Sequence, residues 1–192
     1  MAYNRWASNL RPHKIPFRRR LARAAVALIY RRSENGVVEL LFIQRARREG
    51  DPWSGDMAFP GGRMQPEDAT PRATAERETL EETGIDLRHH GHFRARLSDL
   101  ITRRHSRWRP MVVTPYVYEW RGPKGVWLNH EVERVVWIPL DYLAAPENQG
   151  SLPWRTRLGT LNMPCCRYQG YCIWGLSYSM LKELLALGVI GH

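Results

Sequence analysis

The segment AERETLEETGI, residues 75–85, places four glutamates within seven positions of a chain whose formal net charge is +10. On a helix, residues three and four apart lie on one face, so Glu78, Glu81 and Glu82 would project to the same side, with Glu76 nearby. Like charges at these spacings destabilise a helix unless a positive group faces them. The fold must therefore bring a cation to the acidic face of this helix.

Residues on either side of the glutamates predict where the helix begins and ends. Thr70 offers an N-cap side chain, Pro71 has a φ angle suited to the first turn, and Gly84 supplies a C-terminal stop. Ahead of the helix, FPGGR at residues 59–63 is a Gly-Gly turn that lets backbone groups approach a ligand closely. The turn favours a functional acidic face over the alternative, a solvated charged surface.

The rest of the chain predicts a sheet flanked by helices. Alternating or β-branched segments predict strands at residues 24–30, 37–45, 57–59, 92–98, 111–120, 132–140 and 171–175. Asn35-Gly36 predicts a hairpin turn between the first two strands. Helices are predicted within residues 139–148 and at residues 176–187, the latter ending before Gly188. Residues 88–93 and 101–109 are interpreted as a polar loop and a basic loop.

Length and composition predict one domain preceded by a short basic segment. The chain has 192 residues, and we predict an N-terminal extension over residues 1–22 and a single domain over residues 23–192. The apolar run at residues 24–30 is far shorter than the roughly 20 residues that span a bilayer. We therefore expect a cytoplasmic protein that does not enter a membrane. A mitochondrial-type transit segment within residues 1–33, which contain no Asp or Glu, is the alternative.

The cysteines and arginines indicate which kinds of site and ligand the protein could have. Cys165, Cys166 and Cys172 form one odd-numbered cluster, which predicts reduced thiols rather than a zinc site. Of the 29 basic residues, all but three are arginine. Because arginine grips phosphate bidentately, this charge fits a polyanionic ligand or a nucleic acid, although a coding bias would produce the same composition.

Carboxylates on one helix face, close to a Gly-Gly turn, predict a metal site. Mg²⁺ prefers carboxylate oxygens, keeps several waters and is usually completed by substrate phosphates. The partner implied is therefore a phosphate ester or anhydride. Arg77 can reach Glu81 at i+4 and hold that carboxylate in place while leaving the other glutamates free. The histidines at 89, 90 and 92 have no carboxylate or thiol at ligand spacing, so we interpret them as part of a polar loop.

The segment GGRMQPEDATPRATAERETLEETGI, residues 61–85, resembles the Nudix box, the signature G-x5-E-x7-R-E-U-x-E-E-x-G-U of Nudix hydrolases, with U aliphatic. The second half matches at Arg77, Glu78, Glu81, Glu82, Gly84 and Ile85. Thr79 fills an aliphatic slot. The gap before the arginine is one residue longer than usual, so Ala69 stands where the first glutamate belongs. Glu67 and Asp68 are the candidates to replace that glutamate.

The longer gap is similar to that of the coenzyme A pyrophosphatase branch of the family. GDMAFPGG at residues 55–62 and LFIQRA at residues 41–46 resemble the upstream motif of that branch. Residues 168–185 are similar to its C-terminal strand and helix. Asp51 departs from the motif, because the branch has an arginine there. The resemblance covers roughly residues 24–187.

The resemblance implies an α/β protein with the Nudix fold, a mixed β-sheet sandwiched between helices (α/β/α), and Mg²⁺ or Mn²⁺ as cofactor. It implies that the metal ligands are the Gly61 carbonyl, Glu78, Glu81 and Glu82. The catalytic residues it implies are Arg77, which orients the glutamates, Glu78 and Glu81. Because many Nudix enzymes use a glutamate outside the box, Glu131 is added to this set, with Glu119 and Glu133 as further candidates. The candidate substrate-binding residues are Arg45, Phe59, Gly62 and Arg63.

The resemblance to the coenzyme A pyrophosphatase branch implies a pyrophosphohydrolase that cleaves coenzyme A or a derivative to 3′,5′-ADP and 4′-phosphopantetheine. Alternatives are another nucleoside diphosphate-linked small molecule, such as ADP-ribose or NADH, a capped RNA, or a catalytically silent domain that binds nucleic acid. A homodimer is left open. Arginines at 103, 104, 107 and 109 either contact phosphate or form a solvated loop. Trp53, Trp108 and Trp154 either stack on adenine or belong to the core.

Overall fold

The computed structural model describes residues 12–50, 53–104, 107–156 and 159–187, and describes no side chains for residues 103–109 and 156–158. The predictions concerning residues 1–11, Asp51, Gly188 and the side chains of the arginines at 103–109 and of Trp108 lie outside these described parts. Within them, no helix is long and apolar enough to cross a membrane. Cys165, Cys166 and Cys172 are free thiols, as predicted.

Eight strands form a mixed sheet: β1 (Ala22–Arg32), β2 (Val38–Arg45), β3 (Met57–Ala58), β4 (Gly61–Arg63), β5 (Gly91–Arg96), β6 (Leu100–Arg104), β7 (Arg107–Trp120) and β8 (Val132–Pro139). The order β3-β2-β1-β7-β5 forms its main path; β4 pairs with β1, β6 with β7, and β8 with β2. The β1–β7 pairing is parallel and the other pairings are antiparallel. A three-stranded antiparallel sheet contains β9 (Gln149–Thr156), β10 (Gly159–Tyr168) and β11 (Tyr171–Trp174).

The large sheet lies between two groups of helices. The α-helices are α1 (Pro71–Thr83), α2 (Leu87–His90), α3 (Leu140–Ala144) and α4 (Gly175–Ala186), and 3₁₀ turns occur at Arg18–Arg20 and Pro146–Asn148. Successive side chains of a strand point to opposite faces. Leu28 of β1 packs in the same core as Leu184 of α4, whereas Ile29 packs in the other core with Ala75 of α1. The predicted α/β/α arrangement is therefore confirmed.

The helix that carries the glutamates has the predicted ends. The Thr70 hydroxyl oxygen accepts a hydrogen bond from the Ala73 N–H at 3.1 Å, and Pro71 is the first helical residue. Gly84 closes the helix in the left-handed region, at φ 71°, and its N–H donates to the Leu80 carbonyl at 2.9 Å. The hairpin at Asn35-Gly36 is also confirmed, because β1 and β2 are antiparallel neighbours and Gly36 has φ 78°.

Two loop predictions were wrong. Residues 101–109 contain most of β6 and the start of β7, paired so that Ile101 lies opposite Val112. The outward-facing Ile101 is 56% exposed, so this strand lacks the clear inward and outward alternation that identifies strands in a sequence. Residues 88–93 contain the end of α2 and the start of β5. The helix forms there because the Asp86 side chain caps α2 by accepting hydrogen bonds from the N–H groups of Arg88 and His89.

Strands β9 and β10 were not predicted from the sequence. Most described residues of β10 are exposed, and each strand contains a proline, Pro153 and Pro164. Proline cannot donate to a strand ladder and argues against a strand in sequence. In the structure β9 pairs along its whole length with residues 159–166 of β10, and Asn162 lies opposite Pro153.

A buried carboxylate anchors the segment before β1. The Asp99 side chain is fully buried and accepts hydrogen bonds from the Ile15 N–H at 3.0 Å, the Arg18 guanidinium at 3.0 Å and the Thr114 hydroxyl at 2.7 Å. Arg96 also pairs with it. Although burial opposes ionisation, the Thr114 and Ile15 hydrogen bonds and the two arginines lower the pKa of Asp99. Part of the predicted basic extension is thus held against the sheet.

Candidate functional site

The acidic helix α1 lies against the Gly-Gly turn at β4. The Glu82 side chain is almost completely buried, and its Oε2 accepts a hydrogen bond from the Gly61 N–H at 2.9 Å. Glu78 occupies the space beside Gly62, where an added Cβ would lie 2.4 Å from the Glu78 carboxyl carbon. Gly61 has φ +149°, and a Cβ there would lie 2.3 Å from the Ala25 carbonyl oxygen. Glycine at position 62 therefore permits the close approach of α1 to β4, and glycine at position 61 permits the close approach of β4 to β1.

Arg77 connects the carboxylates of this cluster. Its Nη1 donates to Glu81 Oε2 at 3.0 Å, and its Nη2 lies 2.9 Å from Glu78 Oε1. Two further bonds form a fork with Asp68, from Nε to Oδ1 at 3.0 Å and from Nη2 to Oδ2 at 2.9 Å. The Arg63 carbonyl oxygen also accepts from Nη2 at 3.1 Å. The predicted contact between Arg77 and Glu81 is therefore confirmed, but the expectation that Arg77 leaves the other glutamates free was wrong, because it also pairs with Glu78.

Asp68, rather than Glu67, joins the cluster. Asp68 is buried, whereas Glu67 is exposed. The Arg77 hydrogen bonds are the main reason that the pKa of Asp68 falls to about 2, and the Gln65 N–H and the Thr74 hydroxyl also stabilise its carboxylate. Asp68 therefore fixes the arginine that in turn holds Glu78 and Glu81. Sequence alone could not choose between the two adjacent acids, because only burial separates them.

We expect Asp68→Asn to lower the free energy of unfolding by about 2 kcal/mol at neutral pH, because the amide cannot form the ionic fork with Arg77. A carboxyl whose pKa is lowered by folding stabilises the protein above its unfolded-state pKa, and this contribution disappears between about pH 4 and pH 2. Urea unfolding at pH 7 and pH 3 should therefore show a smaller loss of stability on acidification in the variant. The exposed neighbour gives the control, Glu67→Gln. Equal destabilisation by both substitutions would contradict the prediction.

Glu131 lies on a loop that is bound to the C-terminal end of α1. The Trp127 N–H donates to the Thr83 carbonyl at 2.9 Å, and the Asn129 N–H donates to the Glu82 carbonyl at 3.3 Å. The Asn129 side chain then accepts from the Glu131 N–H at 2.8 Å. These bonds fix the loop that carries Glu131 relative to the helix that carries Glu78 and Glu82. Asn129 was missed in the sequence, because its contacts depend on where the loop meets the helix.

The three glutamates Glu78, Glu82 and Glu131 influence one another electrostatically. Burial is the main reason that the pKa of Glu82 rises to about 8; the charges of Glu78 and Glu131 raise it further, whereas the Gly61 N–H and the Arg45 charge lower it. Burial also raises the pKa of Glu78, with Arg77 opposing and Glu81 and Glu131 adding to the effect. Deprotonating both Glu78 and Glu82 is therefore unfavourable unless a cation joins them.

The donor set fits a hard divalent cation. Buried carboxylate oxygens and a nearby backbone turn are ligands that Mg²⁺ and Mn²⁺ accept. Among the described residues, no group of three His, Cys, Asp or Glu side chains is arranged to hold an ion by itself. Mg²⁺ commonly takes only one or two protein carboxylates and fills its other positions with water and substrate phosphate oxygens, so the cluster is compatible with it.

A cavity of about 620 Å³ adjoins the carboxylate cluster. Five of its lining residues are among the predicted site residues: Arg45, Phe59, Gly61, Gly62 and Arg63. Phe59, however, is only 3% exposed and stacks on Phe42 with ring centroids 4.6 Å apart. Phe59 therefore lies mainly in the core beneath the cavity. Lining residues that were not predicted include Asp56, Thr102, Trp174 and Ser177.

Comparison with known proteins identifies the family. The family model described as the NUDIX domain matches residues 20–158. The chain belongs to the Nudix family. Its curated relatives include an uncharacterized protein of Schizosaccharomyces pombe, 40% identical over 113 residues, which cover 57% of this chain and 34% of the relative. This Nudix chain thus spans about a third of the length of the yeast protein. The human mitochondrial coenzyme A diphosphatase NUDT8 is 31% identical over 173 residues, covering 88% of this chain and 71% of that protein.

Solved structures show the same fold. A C. elegans Ap4A hydrolase binary complex aligns with a TM-score of 0.58 at 21% identity, covering 86% of this chain and 96% of the other. The Nudix hydrolase RenU of M. smegmatis aligns with a TM-score of 0.57 at 18% identity, covering 88% of each chain. The predictions of the Nudix family and of its fold are therefore confirmed.

Other residues singled out in the sequence lie away from this Nudix cluster. His89 pairs with Asp86, its Nδ1 lying 2.6 Å from Oδ2, and His90 packs edge-on against Trp120. The prediction that no carboxylate lies at ligand spacing from these histidines was wrong for His89, which pairs with Asp86 at i−3. Among the tryptophans, Trp53 borders the cavity and Trp154 packs against another tryptophan that borders it.

Proposed function

We propose that this protein is a divalent-metal-dependent Nudix pyrophosphohydrolase that cleaves coenzyme A or its derivatives to 3′,5′-ADP and 4′-phosphopantetheine. The observation that supports the proposal is that Glu78 and Glu82 both lie against the Gly61-Gly62 turn, beside a cavity that is also bordered by arginine. Pyrophosphate substrates need these features together, since their charge must be neutralised while water attacks phosphorus. The likeness to the human coenzyme A diphosphatase supports the choice of substrate.

We propose that Glu78, Glu82, Glu81 and the Gly61 carbonyl hold Mg²⁺ or Mn²⁺. When bound, such an ion neutralises charge on the pyrophosphate and lowers the pKa of water. Arg77 keeps Glu78 and Glu81 in place through its hydrogen bonds. The arrangement gives each carboxylate of α1 a fixed direction before substrate arrives, which lowers the cost of ordering the site.

Proton transfer is assigned to a carboxylate beside the attacking water. Glu131 is the first candidate, because it contributes to the electrostatics of Glu78 and Glu82 and is fixed by Asn129. Glu81 is the second, since it is half-exposed and held by Arg77. The base takes a proton from water, the water oxygen bonds to phosphorus, and the bridging oxygen leaves with the other phosphate. Arg45 and Arg63 are proposed to contact the phosphates.

The proposal is tested by mass spectrometry of products from coenzyme A, ADP-ribose, NADH and capped RNA, each incubated with purified protein and Mg²⁺ or Mn²⁺. We expect 3′,5′-ADP and 4′-phosphopantetheine from coenzyme A, and no product when a chelator removes the metal. Efficient cleavage of a different substrate alone would overturn the coenzyme A assignment. Absence of all cleavage, together with salt-dependent RNA binding, would overturn the enzymatic proposal in favour of a binding domain.

A further inference from the structure

One wall of the cavity is formed where β11 ends and α4 begins. Trp174, Gly175, Leu176 and Ser177 line this wall, and Met180 follows one turn along the helix. Trp174 is the last residue of β11 and lies opposite Cys165 of β10, so its backbone is fixed within the small sheet. Its side chain is partly exposed to the cavity. This wall is distinct from the carboxylate cluster, and no role in the proposed chemistry uses it.

A second tryptophan supports Trp174. The Trp154 ring on β9 lies with its centroid 4.7 Å from that of Trp174, the two planes being inclined by 39°. Trp154 is not among the residues that border the cavity. Trp174 itself borders the cavity, and the Trp154 ring packs against the Trp174 ring. Such packing restricts the rotation of Trp174 and gives the cavity a flat aromatic surface of defined orientation.

The floor of the cavity is apolar. Ala24 and Val26 of β1 contribute to it, as do Met111 and Val113 of the neighbouring parallel strand β7. Arg45 and Arg63 border the same cavity. A single space thus combines arginine side chains, an apolar floor and an ordered indole. This combination matches a nucleotide, which joins charged phosphates to a flat base.

We propose that Trp174 stacks on the adenine base of the substrate and is a specificity-determining residue, an inference that rests on the proposed function. A flexible pantetheine arm gains from any apolar surface and does not need a flat one. A base gains most from a planar ring of fixed orientation, which the contact between Trp174 and Trp154 provides. The cavity therefore receives the nucleotide half of the substrate.

The test measures binding of reaction products rather than turnover. Isothermal titration of the full chain with 3′,5′-ADP, 4′-phosphopantetheine and the base-free probe ribose 5-phosphate is compared for wild type, Trp174→Ala and Trp174→Phe. We expect the alanine variant to bind 3′,5′-ADP at least about tenfold more weakly. The phenylalanine variant should retain most of the affinity, because its ring can still stack. Binding of the two base-free compounds should not change.

The matched control is Leu161→Ala, since Leu161 lies opposite Trp154 in the small sheet, is exposed and does not border the cavity. It should bind 3′,5′-ADP like wild type. Failure of wild type to bind 3′,5′-ADP, equal affinity of the alanine variant, or a selective loss of 4′-phosphopantetheine binding would each overturn the stacking role. Binding that depends on Trp174 in a protein without hydrolase activity would overturn only the proposed function. Coenzyme A cleavage with unchanged nucleotide binding would overturn only the stacking.

Discussion

Replacing Glu82 with glutamine should lower the rate of pyrophosphate hydrolysis by about a thousandfold or more while leaving the fold intact. The amide has the size of the carboxylate, and its oxygen can still accept the hydrogen bond from the Gly61 N–H. What it loses is the negative charge that we propose binds the cation. The substitution should lower kcat in particular, because negative charge that develops on the phosphate oxygens would no longer be balanced by the cation.

The same substitution should leave the metal-free protein at least as stable as wild type at pH 7. Because burial raises the pKa of Glu82 to about 8, its ionised form is disfavoured in the folded protein. An acid whose pKa is raised by folding reduces stability as the pH rises above its unfolded value, and glutamine removes this cost. Thermal unfolding in the presence of a chelator measures the stability of the metal-free variant relative to that of the wild type. The control is Glu147→Gln, an exposed acid in the Pro146–Asn148 turn. Unchanged turnover in Glu82→Gln would remove Glu82 from the site.

Gly62→Ala should reduce hydrolysis by about a hundredfold or more, with only a modest loss of stability. The new Cβ would lie 2.5 Å and 2.7 Å from the two carboxylate oxygens of Glu78. Gly62 does not have a positive φ, so alanine fits the backbone there, and the flexible Glu78 side chain must move instead. A displaced carboxylate can no longer occupy the position that Arg77 holds for it.

Two other glycines provide comparisons for this variant. Gly125→Ala is the matched control, because its Cβ would meet no atom within 4 Å and its φ is not positive. Gly61→Ala should instead destabilise the whole fold, since its Cβ would meet the backbone of Ala25 and Val26. Measuring kcat and the unfolding midpoint for Gly62→Ala, Gly125→Ala and Gly61→Ala separates a loss of activity from a loss of stability. Wild-type activity in Gly62→Ala would show that the observed position of Glu78 is not required.

The features predicted correctly from sequence depend mainly on neighbouring residues. The ends of α1 follow from Thr70, Pro71 and Gly84, whose effects act within one helical turn. The contact between Arg77 and Glu81 likewise follows from i+4 spacing on one helix. The Gly-Gly turn was expected to let backbone groups approach a ligand, but the hydrogen bond from the Gly61 N–H to Glu82 was not predicted.

The features that sequence did not reveal depend on contacts between distant segments. Asn129 fixes Glu131 only because its loop reaches the carbonyl groups at the end of α1. Trp174 borders the same cavity as strands of the large sheet, and the prolines in β9 and β10 concealed the small sheet to which it belongs. No local spacing rule encodes such a meeting of strand, loop and helix.

The buried Asp99 has a consequence for where this protein can be shortened. The likeness to the family begins at residue 20, yet the hydrogen bonds from Ile15 and Arg18 come from before that point. Trimming the chain to the recognisable stretch would leave a carboxylate inside the protein with two of its donors removed. The segment that matches the family is therefore shorter than the segment needed to supply the hydrogen-bond donors of the buried Asp99 carboxylate.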